Sequence, residues 1–154
     1  MDYLILKYIH IISSTILFGT GIGSAFYMFI ANRRKNIENI YFTVKYVVIA
    51  DWLFTTPAVI IQLISGTALV KIAGHEFTDL WVIWAYTLSF FVFICWAPVV
   101  WMQIKMRDMA QYALKNNTKL PDKYWQMDKW WIALGSIAFP AVMIIFYFMV
   151  FKPV

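Results

Sequence analysis

The sequence predicts an all-α membrane protein, an up-down bundle of four transmembrane helices with both termini on the outer, periplasmic side. Three observations predict it. First, 62% of the 154 residues are hydrophobic, 19% are aromatic and only 14% are charged, against roughly a quarter charged in soluble domains. Second, the apolar residues fall into four runs of about the 20 residues needed to cross a bilayer. Third, most of the positive charge lies in two loops. The mean hydropathy of +0.68 agrees. One domain, residues 1–154, accounts for the chain, and no repeat or low-complexity tract divides it.

The first span runs from Leu4 to Ala31, the second from Tyr41 to Ile72, the third from Leu80 to Met102 and the fourth from Trp131 to Phe151. The second exceeds a straight crossing, so tilt or a kink at Pro57 is expected. Only Lys7 precedes the first apolar run, and Gly19, Gly21 and Gly23 lie inside it, which is not the pattern of a cleavable signal peptide. Arg33, Arg34 and Lys35 follow the first span; Lys105, Arg107, Lys115, Lys119, Lys123 and Lys129 follow the third. Positive loops stay in the cytoplasm, which places the 71–79 loop and the termini outside, in a bacterial inner membrane. Asn116, Asn117 and Pro121 make the third loop a turn region, part helix extension and part interfacial segment. Trp125, Trp130 and Trp131 are expected to anchor the fourth span at the inner interface. Trp81 and Trp84 belong to the outer aromatic belt and Trp101 to the inner one.

Several function classes are excluded at this stage. The charge of +5 follows topology rather than forming a nucleic-acid surface, and Cys95 is alone, so no internal disulfide forms. Phosphate-cradling glycine loops, nucleophile elbows and zinc-ligand spacings are absent. Copper handling finds no paired Met or Cys/His spacing.

Polar groups inside the spans carry the functional signal, because burying them in hydrocarbon is costly. Helical spacing puts His10, Ser14, Leu17, Gly21, Ser24 and Met28 on one face of the first helix. Asp51, Thr55, Ala58, Gln62 and Ser65 form a sharper stripe on the second. At about 1.5 Å per residue, His10 lies roughly 9 Å below the outer end. Gln62 and Ser65 reach a similar level, Asp51 lies deeper, and Lys152 returns to the outer face. A cluster of His10, Gln62, Ser65 and Lys152 is thus expected there. His10 reads either as a core histidine satisfied by Ser14 or Gln62, or as a metal or haem ligand. Asp51 pairs with a cation from another helix, or sits neutral against a backbone carbonyl. Gly19-x-x-x-Gly23 reads as close helix packing, and Gly21 as room for a ligand. His75 reads as a solvated loop histidine or a second ligand.

The runs Lys7-Tyr-Ile-His10, Phe18-Gly-Thr-Gly21, Ala50-Asp-Trp-Leu-Phe54, Pro57, Gln62-Leu-Ile-Ser-Gly66, Trp96-Ala-Pro-Val-Val-Trp101 and Met106-Arg-Asp108 resemble an uncharacterised bacterial family of predicted integral membrane proteins, domain of unknown function 2269. The resemblance spans nearly the whole chain and implies no activity. The Lys7-x-x-His10 start and the Met149-Val-Phe-Lys152-Pro153 close are more distantly similar to HemJ-type protoporphyrinogen oxidases. Copper-resistance D membrane domains share the histidine-first helix. This likeness implies haem b, with His10 and Lys152 as the matching functional positions. That class carries a histidine at the start of its third helix where this chain reads Leu80-Trp-Val-Ile-Trp84. Haem or porphyrin binding therefore carries over more directly than porphyrinogen oxidation.

The expected function is a b-type haem membrane protein with a redox or electron-transfer role. His10 would ligate the iron, Ser14, Gly21, Ser24, Gln62 and Ser65 would line the pocket, and Lys152 would pair with a propionate. His75 is the candidate second axial ligand. Asp51, Gln62 and Lys152 are the candidate catalytic groups, acting on a quinone or porphyrin substrate. The alternative is a cofactor-free accessory subunit of a homo-oligomer or larger membrane complex, its polar stripe serving as interhelical glue. A small-solute carrier along the Asp51–Gln62 stripe is a third class.

Overall fold

A computed structural model describes residues 2–153. Four helical rods are long and apolar enough to cross a membrane: Tyr3–Arg34, Ile37–Ile72, Leu80–Lys115 and Asp122–Phe151. No strand occurs among the described residues. The four-span bundle predicted from the sequence is therefore the fold.

Helix α1, Tyr3–Arg34, starts at Asp2, whose carboxylate accepts from the Leu4 amide at 3.2 Å. It stops at Lys35, in the left-handed region with φ 56°. Arg33 and Arg34 occupy its last turn, where cations complement the helix dipole. Asn36 caps the next helix by accepting from the Asn39 amide at 2.9 Å. A two-residue break between rods is thus built from one αL residue and one N-cap.

The second rod comprises α2, Ile37–Ala50, a π turn, Asp51–Thr55, and α3, Thr56–Ile72. The expected irregularity at Pro57 takes this form. Proline lacks an N–H and its ring collides with the carbonyl four residues back. The π turn just upstream widens the backbone there: the Thr56 amide reaches the Asp51 carbonyl, five residues back. The rod continues without a break.

Helices α4, Leu80–Lys115, and α5, Asp122–Phe151, correct the expected third loop. Both helices run far past the apolar spans and meet in a short turn over residues 116–121, with Asn117 at φ 52°. The expected helix extension thus accounts for most of this loop. Trp131, expected as an interface anchor, is instead 6% exposed and faces the bundle interior. Trp81, expected in the outer belt, is likewise buried.

The core sits at the end of the molecule that carries the basic turns. Met28, Ile40, Val44, Met106, Ala110 and Tyr124, each fully buried, bring all four rods together there. At the opposite end only Val70, Trp81 and Val82 form a cluster, with Tyr86 and Phe148 packed on it. Between these ends α1 packs on α3, α2 on α4 and α4 on α5. Side chains close the ring: Phe18 stacks on Phe139 with centroids 5.1 Å apart. The Tyr86 hydroxyl donates to Thr67 Oγ1 at 2.7 Å, since Thr67 spends its own proton on the Leu63 carbonyl. Tyr86→Phe removes that one interhelical bond. It is expected to cost about 1 kcal/mol and to lower the Tm in detergent by about 3 °C, measured by thermal unfolding.

Gly19 and Gly23 do not pack closely: nothing lies within 4 Å of a Cβ built on either. The close helix packing expected from Gly19-x-x-x-Gly23 is therefore absent among the described residues. Gly21 is equally open.

Candidate functional site

The polar groups of the spans form separate clusters along the molecule. One lies between α1 and α3. His10 Nδ1 is 2.8 Å from Ser65 Oγ. The Ser65 hydroxyl already donates its single proton to the Ile61 carbonyl one turn back. A hydroxyl has one donor, so Ser65 accepts from His10, and Nδ1 carries the imidazole proton. Nε2 is left with its lone pair, and it has no partner among the described residues. One bond on α3 thus sets the tautomer of a histidine on α1.

The backbone behind His10 is held as firmly. The Gln62 amide donates to the His10 carbonyl and to Ser13 Oγ, the latter at 2.6 Å. Ser13 in turn donates to the His10 carbonyl at 3.0 Å. Both amide protons of Gln62 and the one proton of Ser13 are accounted for. Opposite the ring stands Gly66: a Cβ there would lie 3.1 Å from His10 Cε1. Even a Cβ at position 66 would require the imidazole to give by a few tenths of an ångström.

The structure thus brings together His10, Gln62 and Ser65 and adds Ser13 and Gly66. Ser14, expected beside His10 from the helical spacing, only bonds back to the Ile11 carbonyl. Ser24 likewise bonds back to Gly21 on its own helix. Gly21 has open space around it, so the glycine that makes room at the histidine is Gly66. A period of 3.6 cannot separate neighbouring positions such as Ser13 and Ser14 when both flank the buried face.

Lys152 does not join His10. Its Nζ donates to His75 Nε2 at 3.2 Å and lies 5.3 Å from the centroid of the Trp81 ring. His75 then carries its proton on Nδ1, which donates to Asp79 Oδ2 at 3.2 Å. His75 also meets Trp81 edge-on, with centroids 5.0 Å apart. Both nitrogens of His75 are therefore engaged within this loop cluster.

Asp51 lies about 16 Å from Gln62 along the rod, by helical rise. Among the described residues it neither meets a cation nor donates to a backbone carbonyl. Its Oδ1 accepts from Thr55 at 2.9 Å. With its amide oriented to satisfy both neighbours, Gln103 donates to Asp51 Oδ2 at 2.8 Å and accepts from Trp131 Nε1 at 3.2 Å. Asp51, Thr55, Gln103 and Trp131 are all buried, and Gln103 links the Asp51 carboxyl group at the π turn to Trp131, so one chain of bonds crosses three rods. Single-turn π insertions are frequent at functional positions.

A further network at the basic end has no counterpart in the sequence reading. Asn32 donates to Asp128 Oδ1 at 2.7 Å and accepts from the Tyr124 hydroxyl at 2.7 Å. Asn32 sits in a terminal turn and Asp128 in a segment read as a loop, so neither stood out as intramembrane polarity. Among the described residues, no three His, Cys, Asp or Glu side chains gather as an ion site.

A family described as "Predicted integral membrane protein (DUF2269)" matches residues 4–153. No curated protein and no solved structure matches the chain.

Proposed function

The chain belongs to this family of predicted integral membrane proteins, and from that membership and the His10 site we propose a multi-pass membrane protein that binds haem b, or a related metalloporphyrin, through His10 Nε2. The observation that carries the proposal is the unpartnered Nε2 lone pair on an imidazole whose other nitrogen is tied to Ser65. Metal-ligating histidines are held in this way by a second hydrogen bond. A lone histidine suits a metal whose remaining ligands come from a macrocycle, and among the described residues no group of three or more His, Cys, Asp or Glu forms an ion site.

In this reading Ser65 sets the tautomer and the ring orientation. Gly66 leaves the space the imidazole needs, and Gln62 with Ser13 holds the His10 backbone. Haem, when bound, supplies one-electron exchange. His75 is committed to Asp79 and Lys152, so His10 is the one histidine ligand. We assign the protein a redox or electron-transfer role, as in the HemJ-like oxidases, with the His10 end outward in a bacterial inner membrane. The basic turns at the opposite end support that orientation.

A second reading, a cofactor-free accessory subunit, is favoured by the open Gly19, Gly21 and Gly23, which leave room for another helix. One absorption spectrum separates the two. Protein purified in detergent after expression with a haem precursor is expected to show a Soret band at close to one haem per chain. A colourless preparation under those conditions overturns the haem proposal and leaves the accessory role.

A further inference from the structure

A cavity of about 480 Å³ opens between α4 and α5 at the basic end, remote from His10. Lys105 from α4, Lys119 from the 116–121 turn and Lys123 from α5 line it, together with Trp101, Tyr112 and Thr118. None of the three lysines forms an ion pair among the described residues. The one acid in the lining, Asp108, is held by Arg107 Nη2 and Nε at 2.8 and 3.0 Å, which offsets its charge.

Three cations, one from α4 and two from the turn and the start of α5, therefore line one concave site. A topology signal alone does not require this: loop lysines satisfy it wherever they point. Lys115 and Lys129, equally basic and in the same hairpin, lie outside the lining. The depth is also telling. Trp101 is exposed at the end of the third apolar run, and Lys105 follows it by one turn, about 6 Å. Exposed tryptophan marks the headgroup level of a bilayer. Basic pockets between helices at that level recognise lipid phosphates.

We propose that this cavity binds the phosphate headgroup of an anionic phospholipid, with Lys105, Lys119 and Lys123 as its cationic contacts and Thr118 as a hydroxyl donor. Trp101 flanks the headgroup at the interface. The site ties the helical hairpin beyond the membrane to the leaflet next to it.

The test uses the full chain in detergent, titrated with phosphatidylglycerol, phosphatidylcholine or inorganic phosphate, and read by native mass spectrometry and thermal shift. Phosphatidylglycerol is expected to bind and stabilise, and phosphatidylcholine to do neither. Each lysine near a membrane surface is worth roughly a five-fold change in affinity. Lys119→Gln alone should weaken phosphatidylglycerol binding about five-fold, and K105Q/K119Q/K123Q on the order of 100-fold. The control R34Q/K115Q/K129Q, with the same loss of charge, should stay within about two-fold. All six residues are exposed, so folding tolerates both triples. Equal weakening by the two triples overturns the proposal, because the attraction is then diffuse. Equal stabilisation by inorganic phosphate and phosphatidylglycerol also overturns it, in favour of a soluble phosphate ligand.

Discussion

His10→Ala is expected to abolish the Soret band of the purified protein, while His75→Ala leaves it in place. The two histidines are chemically equivalent in isolation, and their surroundings separate them. His10 has Nδ1 tied to Ser65 and Nε2 without a partner. His75 has both nitrogens engaged, one by Asp79 and one by Lys152. Exogenous imidazole should restore part of the band to His10→Ala, since it refills the vacated space, and this separates loss of a ligand from loss of fold. Ser65→Ala keeps the ring but frees its orientation and tautomer. Removing such a supporting hydrogen bond typically weakens metal affinity about 10- to 100-fold, read here by haem titration. Gly66→Val should do at least as much by steric means, as even a Cβ would stand 3.1 Å from the imidazole. A Soret band unchanged in His10→Ala would remove His10 as the ligand.

Asn32→Leu should produce the largest loss of stability of any single substitution at the basic end. Asn32 is 2% exposed and serves two buried partners at once, Asp128 and Tyr124. Leucine approximates its volume but offers neither a donor nor an acceptor. The Tyr124 hydroxyl and the Asp128 carboxyl are then left buried without their partner, and each such group costs about 1–3 kcal/mol, more when charged. A total of about 3–6 kcal/mol is a large part of the margin by which proteins stay folded. In a chain of this size it corresponds to a fall in Tm on the order of 10–20 °C. Tyr124→Phe removes only one arm and should cost less. In the double variant the penalty should be smaller than the sum, because the orphaned hydroxyl is gone. A Tm for Asn32→Leu within about 3 °C of the unsubstituted protein would show that water reaches this network and satisfies it.

The spans were legible because length and hydropathy alone carry them. A run of some 20 apolar residues has few alternatives to a membrane helix. The levels of His10, Gln62 and Ser65 were also legible, since helical rise converts residue number into depth. Rotation about the helix axis was less so. Ser13 and Ser14 differ by one position, and both bond back to their own helix, yet only Ser13 also accepts from Gln62 on α3. Gly66 could not be singled out, because its role depends on an imidazole 56 positions earlier in the chain.

Composition, periodicity and charge distribution were enough to establish a four-span helical membrane protein with the Asp51–Ser65 stripe of its second span turned inward, for each rests on local chemistry along one chain segment. The partners of those polar residues are another matter. Asp51 finds Gln103 and Trp131, Asn32 finds Tyr124 and Asp128, and Lys152 goes to His75 rather than His10. Each of these is a contact between rods, set by how four helices rotate and slide against one another. A hydrophobic pattern constrains those two motions only to within about a residue, and a hydrogen bond at 2.7–3.2 Å tolerates far less. The proton on Nδ1 of His10, and the lone pair it leaves on Nε2, follow from that docking of α1 on α3.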